Sequence, residues 1–161
     1  MPEPEMIISN TSPLLYLYRI GEIELLRRLY GHICVARQVA EELAAGVDNV
    51  PSLESYDWIE VRDILIPSAL KMVPDLGPGE AGAIALALES RQPVLLLIDD
   101  RLARQIAALY QIRCSGTAGV LMKGKERGCI NSVKPLLKKL VQCGFYLRDK
   151  HMNDICEIVG E

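Results

Sequence analysis

The stretch Pro93-Val-Leu-Leu-Leu-Ile-Asp-Asp100 decides the fold. Residues 94–98 are apolar at every position, not at alternate ones. Successive side chains of a strand point to opposite faces. A strand that is apolar throughout is therefore covered on both faces, as in a parallel sheet held between helix layers. Two aspartates stop the run. A helix is expected over 101–110, and a helix of small residues over 80–90 comes before it.

The same alternation extends outward in both directions. Residues 6–9 read as a short buried strand behind a polar tail, 1–5. A helix follows, with Ser12 as its cap and Pro13 in the first position, where a missing N–H costs nothing. Gly21 ends it, and a second short helix is expected over 23–30. A strand at 32–35, a helix at 37–45 and a strand at 58–61 come next. The stretch 63–78 is ambiguous, and Gly77-Pro78-Gly79 reads as a turn. Past the central run, a strand at 112–115 precedes helices at 117–127, 132–142 and 149–158, with Thr117 as a cap. Strands alternating with helices give an α/β fold, a three-layer α/β/α sandwich around a mostly parallel sheet. At 161 residues the chain reads as one domain, 1–161.

Composition narrows the class. Half the residues are hydrophobic, enough for a core. Aromatics are 5%, which leaves few rings for stacking on bases. No apolar run approaches the roughly 20 residues of a membrane span. The acidic start lacks the positive region of a secretory signal, so a cytoplasmic location is expected. The five cysteines (Cys34, Cys114, Cys129, Cys143, Cys156) form no C-x-x-C, and His32 and His151 stand far apart. Neither a zinc site nor a disulfide framework is expected; the thiols read as reduced and mostly buried. Gly77-Pro-Gly-Glu80 lacks the Lys-Ser/Thr of a phosphate-binding loop. Only 61 residues follow Asp100, too few for a phospho-acceptor receiver starting at this strand.

Charge is divided unevenly. Residues 1–100 hold 7 Lys/Arg against 16 Asp/Glu, and residues 101–161 hold 11 against 5. In parallel sheets, ligands bind outside the carboxyl ends of the strands. The polar clusters expected there are Ser9-Asn10-Thr11-Ser12, Asp99-Asp100 and Glu80, with Glu41-Glu42 one turn into a helix. Each has a structural reading as a cap, a helix-dipole partner or a solvated face. Together, converging carboxylates would repel one another unless a cation neutralised them. Oxygen donors suit Mg²⁺ or Mn²⁺. Such ions activate water for attack on a phosphodiester. Lys123, Lys125, Arg127, Lys134, Lys138 and Lys139 supply charge for phosphates.

Five segments in order carry a resemblance: Ile7-Ile-Ser-Asn-Thr-Ser-Pro-Leu14, Gln38-Val-Ala-Glu-Glu-Leu43, Leu76-Gly-Pro-Gly-Glu-Ala81, Leu97-Ile-Asp-Asp-Arg101 and Gly116-Thr-Ala-Gly-Val-Leu121. Over residues 6–160 the chain resembles the PIN-domain superfamily. It is most similar to a bacterial and archaeal branch related to the virulence-associated-protein-C toxins. The resemblance implies an α/β/α sandwich and a Mg²⁺- or Mn²⁺-dependent ribonuclease site. The family's four acids fall on Asn10, on Glu42 (with Glu41 as the register alternative), on Glu80, and on Asp100 or Asp99. These are the implied metal ligands, and Asn10, Glu42, Glu80 and Asp100 the implied catalytic set. Thr11 and Ser12 match the hydroxyl residues beside the first acid and, with Lys123 and Lys125, are expected to meet substrate. RNA, a protein antitoxin and a homodimeric partner are the implied partners. Asn10 departs from the family: its amide oxygen ligates a hard cation but brings no negative charge. That departure supports the alternative of a PIN-like module that binds RNA or protein without turnover.

Overall fold

The computed structural model of the protein describes residues 5–161, so the expected tail lies, except for Glu5, outside the described residues. In chain order the elements are β1 (Met6–Ser9), α1 (Thr11–Arg19), α2 (Glu24–Tyr30), β2 (Ile33–Ala36), α3 (Arg37–Ala45), β3 (Ile59–Arg62), α4 (Ser68–Lys71), α5 (Pro78–Glu89), β4 (Val94–Leu97), α6 (Arg101–Leu109), β5 (Arg113–Ser115), α7 (Thr117–Glu126), α8 (Lys134–Gln142) and α9 (Asp149–Val159). The five strands form one parallel sheet in the order β3-β2-β1-β4-β5.

The apolar run lies where its pattern requires. Leu96, Leu97 and Ile98 are fully buried, and β4 sits inside the sheet between β1 and β5. Helix α5 crosses β2, β1 and β4 and packs beside α6, while α1 and α2 pack against α7. Helix α3 leaves β2 directly at the carboxyl edge and touches both α1 and α5. The result is the three-layer α/β/α sandwich.

The structure corrects some local expectations. The residue at the cap of α1 is Asn10, not Ser12, and the helix opens at Thr11. Gly77-Pro78-Gly79 is no free turn. Gly77 is the cap of α5, and Pro78 opens the helix because its missing N–H is one the first turn cannot use. Gly116 caps α7, and Thr117 is its first residue. The ambiguous stretch contains the single turn α4. All five cysteines are free, but only Cys34 and Cys156 are buried.

Candidate active site

Strand β1 lies beside β4 in register from Met6↔Val94 to Ser9↔Leu97. The chain leaves β1 toward β2 and leaves β4 toward β5, on opposite sides of the sheet. A crevice opens outside the carboxyl ends where connections diverge in this way. Asn10 emerges there from β1, and Asp99 and Asp100 emerge from β4. They line a cleft of about 1130 Å³ together with Ser12 and Glu80.

Asn10 is fixed by its backbone, whose N–H donates to the Leu97 carbonyl at 2.9 Å. A cap asparagine ordinarily accepts a bond from the first turn of its helix. Here it makes no such bond, and its side-chain oxygen is buried without a partner. The residue is 4% exposed. A buried, unpaired carbonyl oxygen is costly to maintain, which makes it the plainest sign of a ligand position. Among the described residues, Gln38 Oε1 is the other buried side-chain oxygen of this kind.

Glu42 reaches the site from α3. Its carboxylate accepts from the Thr11 hydroxyl at 2.5 Å and from the Gly79 N–H at 2.8 Å. Glu41 is exposed and takes part in neither bond. Gly79 allows the approach: a Cβ there would lie 2.8 Å from the Glu42 carboxyl carbon. Glu80, in the first turn of α5, accepts from the Gly77 N–H at 2.7 Å. Burial pushes the Glu80 carboxyl above the ordinary range, and the charges of Asp100 and Glu42 push the same way against the Gly77 N–H.

The two aspartates differ. Asp100 caps α6, accepting from the Ala103 N–H at 2.9 Å through one oxygen. Asp99 is engaged at both. One oxygen accepts from the Thr117 N–H at 2.7 Å, and the other from the hydroxyls of Thr117 at 2.6 Å and Ser12 at 2.7 Å. Gly116 leaves it room, since a Cβ there would stand 2.8 Å from the nearer oxygen. Asp99 thus ties α1 and α7 to the end of β4. Glu80, Asp99 and Asp100 line the cleft, whereas the exposed Glu42 does not, and no three of the acids bring their oxygens within 4.8 Å of one another.

The structure gives the expected substrate contacts partners within the protein. The protons of Thr11 and Ser12 go to Glu42 and Asp99, so these hydroxyls orient acids. Lys123 and Lys125 do not line the cleft. The Lys123 ammonium sits 4.8 Å from the centre of the Tyr30 ring. Lys125 donates to the Val159 carbonyl at 2.8 Å and to Glu161 at 2.9 Å. The cations lining the cleft are Arg101, Arg104 and Arg148, with His151 nearby. The sequence carried a signal for the first two: they stand three apart on the helix that begins after Asp100, and so share a face. Three rings also line the cleft, Tyr16, Phe145 and Tyr146. Tyr146 is 84% exposed, so the low aromatic content does not leave this site without rings.

Comparison with known proteins adds one match. No curated protein and no solved structure matches the chain. The family model described as DUF3368: PIN domain matches residues 6–161, from the first residue of β1 onward, and the chain belongs to this PIN-domain family.

Proposed function

We propose that the protein is a Mg²⁺- or Mn²⁺-dependent ribonuclease that hydrolyses RNA phosphodiesters in the cleft outside β1 and β4. The PIN domain is a nuclease-type fold, and its members are generally dependent on a divalent metal. The observation that carries the reading is the buried, unpartnered oxygen of Asn10 in a cleft that Glu80 and Asp100 also line, with Glu42 close enough for its charge to act on Glu80.

The residues present fit a hard cation. Every donor is an oxygen, and the Asn10 carbonyl oxygen has no protein partner. Asn10, Glu42, Glu80 and Asp100 would hold the ion, and Asp99 braces the segment that carries Asp100. When bound, the ion activates a water and offsets the charge that develops on the phosphodiester. The chain's own residues do the rest. Thr11 and the Gly79 N–H orient Glu42. Arg101, Arg104 and Arg148 draw the phosphate backbone toward the acids. Tyr146 offers an exposed face for a base to stack on.

In its finer form this reading makes the protein the homodimeric, cytoplasmic toxin of a toxin–antitoxin pair. A small antitoxin would lay a basic or apolar segment over the acid-lined cleft. Asn10 favours a second reading, since a site one charge short binds its cation more weakly and turns over poorly, or not at all. Incubation with RNA in Mg²⁺ or Mn²⁺, with chelator and with Asp100→Ala as controls, separates the two. Cleavage that needs the metal and disappears in the variant supports the nuclease. Retained RNA binding without cleavage supports the module and overturns the nuclease.

A further inference from the structure

A second constellation lies at the amino edge of the same sheet, away from the acids. His32 directly precedes β2, and Cys34 is two residues further on, so both side chains leave the same face. Glu60 on β3 stands opposite Cys34 in the strand register. The His32 Nε2 atom is 3.4 Å from Glu60 Oε2, and the Cys34 Sγ atom is 3.5 Å from the same oxygen. All three ligand atoms lie within 4.8 Å of one another, the only such group of His, Cys, Asp or Glu among the described residues.

We infer that His32, Cys34 and Glu60 form a binding site for a thiophilic divalent transition metal of the Zn²⁺ class. A tetrahedral Zn²⁺, with Zn–S of about 2.3 Å and Zn–N and Zn–O of about 2.0–2.1 Å, sets sulfur and oxygen about 3.5 Å apart and nitrogen and oxygen about 3.3 Å apart. The nitrogen–oxygen and sulfur–oxygen separations in the protein meet both figures, and the nitrogen–sulfur separation lies within 4.8 Å. One sulfur, one imidazole and one carboxylate select Zn²⁺ or Co²⁺ over Mg²⁺. His32 is exposed and Glu60 half-buried, and both border an open pocket of about 760 Å³, so an ion can enter and water can complete the coordination. On binding, the Cys34 thiol releases its proton to solvent.

Arg62 is the group that bears on this reading most. Its guanidinium donates to both oxygens of Glu60, at 2.9 and 3.0 Å, and holds that carboxyl down at about 2. A carboxylate oxygen has two lone-pair directions, so Oε2 serves Arg62 and a metal together. Arg62 then orients the ligand as outer partners of metal sites do. Its positive charge sets this site further against a hard cation that lacks a bond to sulfur. Burial pushes the Cys34 thiol up to about 11, so a sulfur without a metal stays protonated and is no nucleophile.

The test is a Co²⁺ titration of the full, chelator-stripped chain in excess Mg²⁺, which fills oxygen-only sites and leaves thiolate free. The thiolate-to-cobalt charge-transfer absorption is the readout. One equivalent of Co²⁺ should raise the band, and Zn²⁺ should abolish it by displacement. Cys34→Ser should remove it, His32→Ala should weaken binding at least about tenfold, and Cys114→Ser should leave it intact. Absence of the band in the wild-type chain, or a band that survives Cys34→Ser, overturns the site. If Cys34→Ser does not fold, the surface variant His32→Ala decides, and undiminished affinity there overturns the site.

Discussion

The two edges of the sheet use their donors in opposite ways. At the carboxyl edge the donors are all oxygens, delivered by separate elements at a point where connections diverge. Most of those oxygens are already held by hydroxyls and backbone N–H groups, and the Asn10 oxygen is held by nothing. At the amino edge a sulfur, an imidazole and a carboxylate meet across two adjacent strands, with an arginine behind them. The first edge is built mainly through helix caps and the first turn of α5, with Glu42 reaching over from the second turn of α3. The second is built through strand register, which sets neighbours a fixed distance apart. One sheet thus presents a hard donor set and a soft one, and the difference comes from which backbone geometry supplies the positions.

The largest expected effect tests whether the edges are independent. Asp100→Ala or Glu80→Gln should lower metal-dependent RNA cleavage at least about 100-fold, while Cys34→Ser leaves the rate unchanged. Loss of cleavage in Cys34→Ser would join the two edges and break the comparison. Asp99→Ala should act on stability first. It removes the acceptor of three hydrogen bonds and strands the buried Thr117 hydroxyl and N–H. A cost of about 2–4 kcal/mol is expected in denaturant unfolding. Asp100→Ala, which removes one cap bond, should cost about 1 kcal/mol in the same measurement.

Asn10→Asp sharpens the carboxyl edge. Adding one charge where an unpartnered oxygen stands should tighten Mn²⁺ binding about tenfold or more by calorimetry. Gly79→Ala separates the site from the fold. The new Cβ would displace the Glu42 carboxylate, weakening Mn²⁺ binding severalfold. Stability should change by no more than about 1 kcal/mol, because the better helix propensity of alanine offsets the lost bond from the Gly79 N–H to Glu42. The smallest effect belongs to a carboxylate outside both edges. Glu161 accepts from Ser132, the Val133 N–H, Lys125 and the Lys134 N–H, with Ser132 the main cause that holds its carboxyl down at about 2. A carboxyl that binds protons less readily when folded stabilises fully above the ordinary value of 4.5, and that contribution fades as pH falls through about 2. Glu161→Gln should therefore lower Tm slightly at pH 7 and flatten the acid limb of Tm against pH.

The layers of the fold were legible because hydrophobic period and turn residues repeat locally. Residues 94–98 read as a covered strand from five letters, and β4 is buried inside the sheet. What stayed closed depended on distant partners. In sequence Glu41 is the register alternative to Glu42, and the bonds from the Thr11 hydroxyl and the Gly79 N–H distinguish them. Asn10 reads as a cap, and nothing local says that its oxygen is left unbonded. Lys123 and Lys125 look available until Tyr30 and Glu161 take them. His32 and Cys34 carry a faint signal, two donors at strand spacing, but the third waits on a strand whose register the letters do not specify.

The pairing of β1 with β4 has a consequence for synthesis. Asn10 is made well before its β4 neighbour in the sheet, which is laid down only when residues 94–97 arrive. Until then the ribosome holds a nascent chain with Glu42 and Glu80 present but no walled crevice to gather them. Completion of the crevice is thus set by chain order, because its β4 wall always follows its β1 wall.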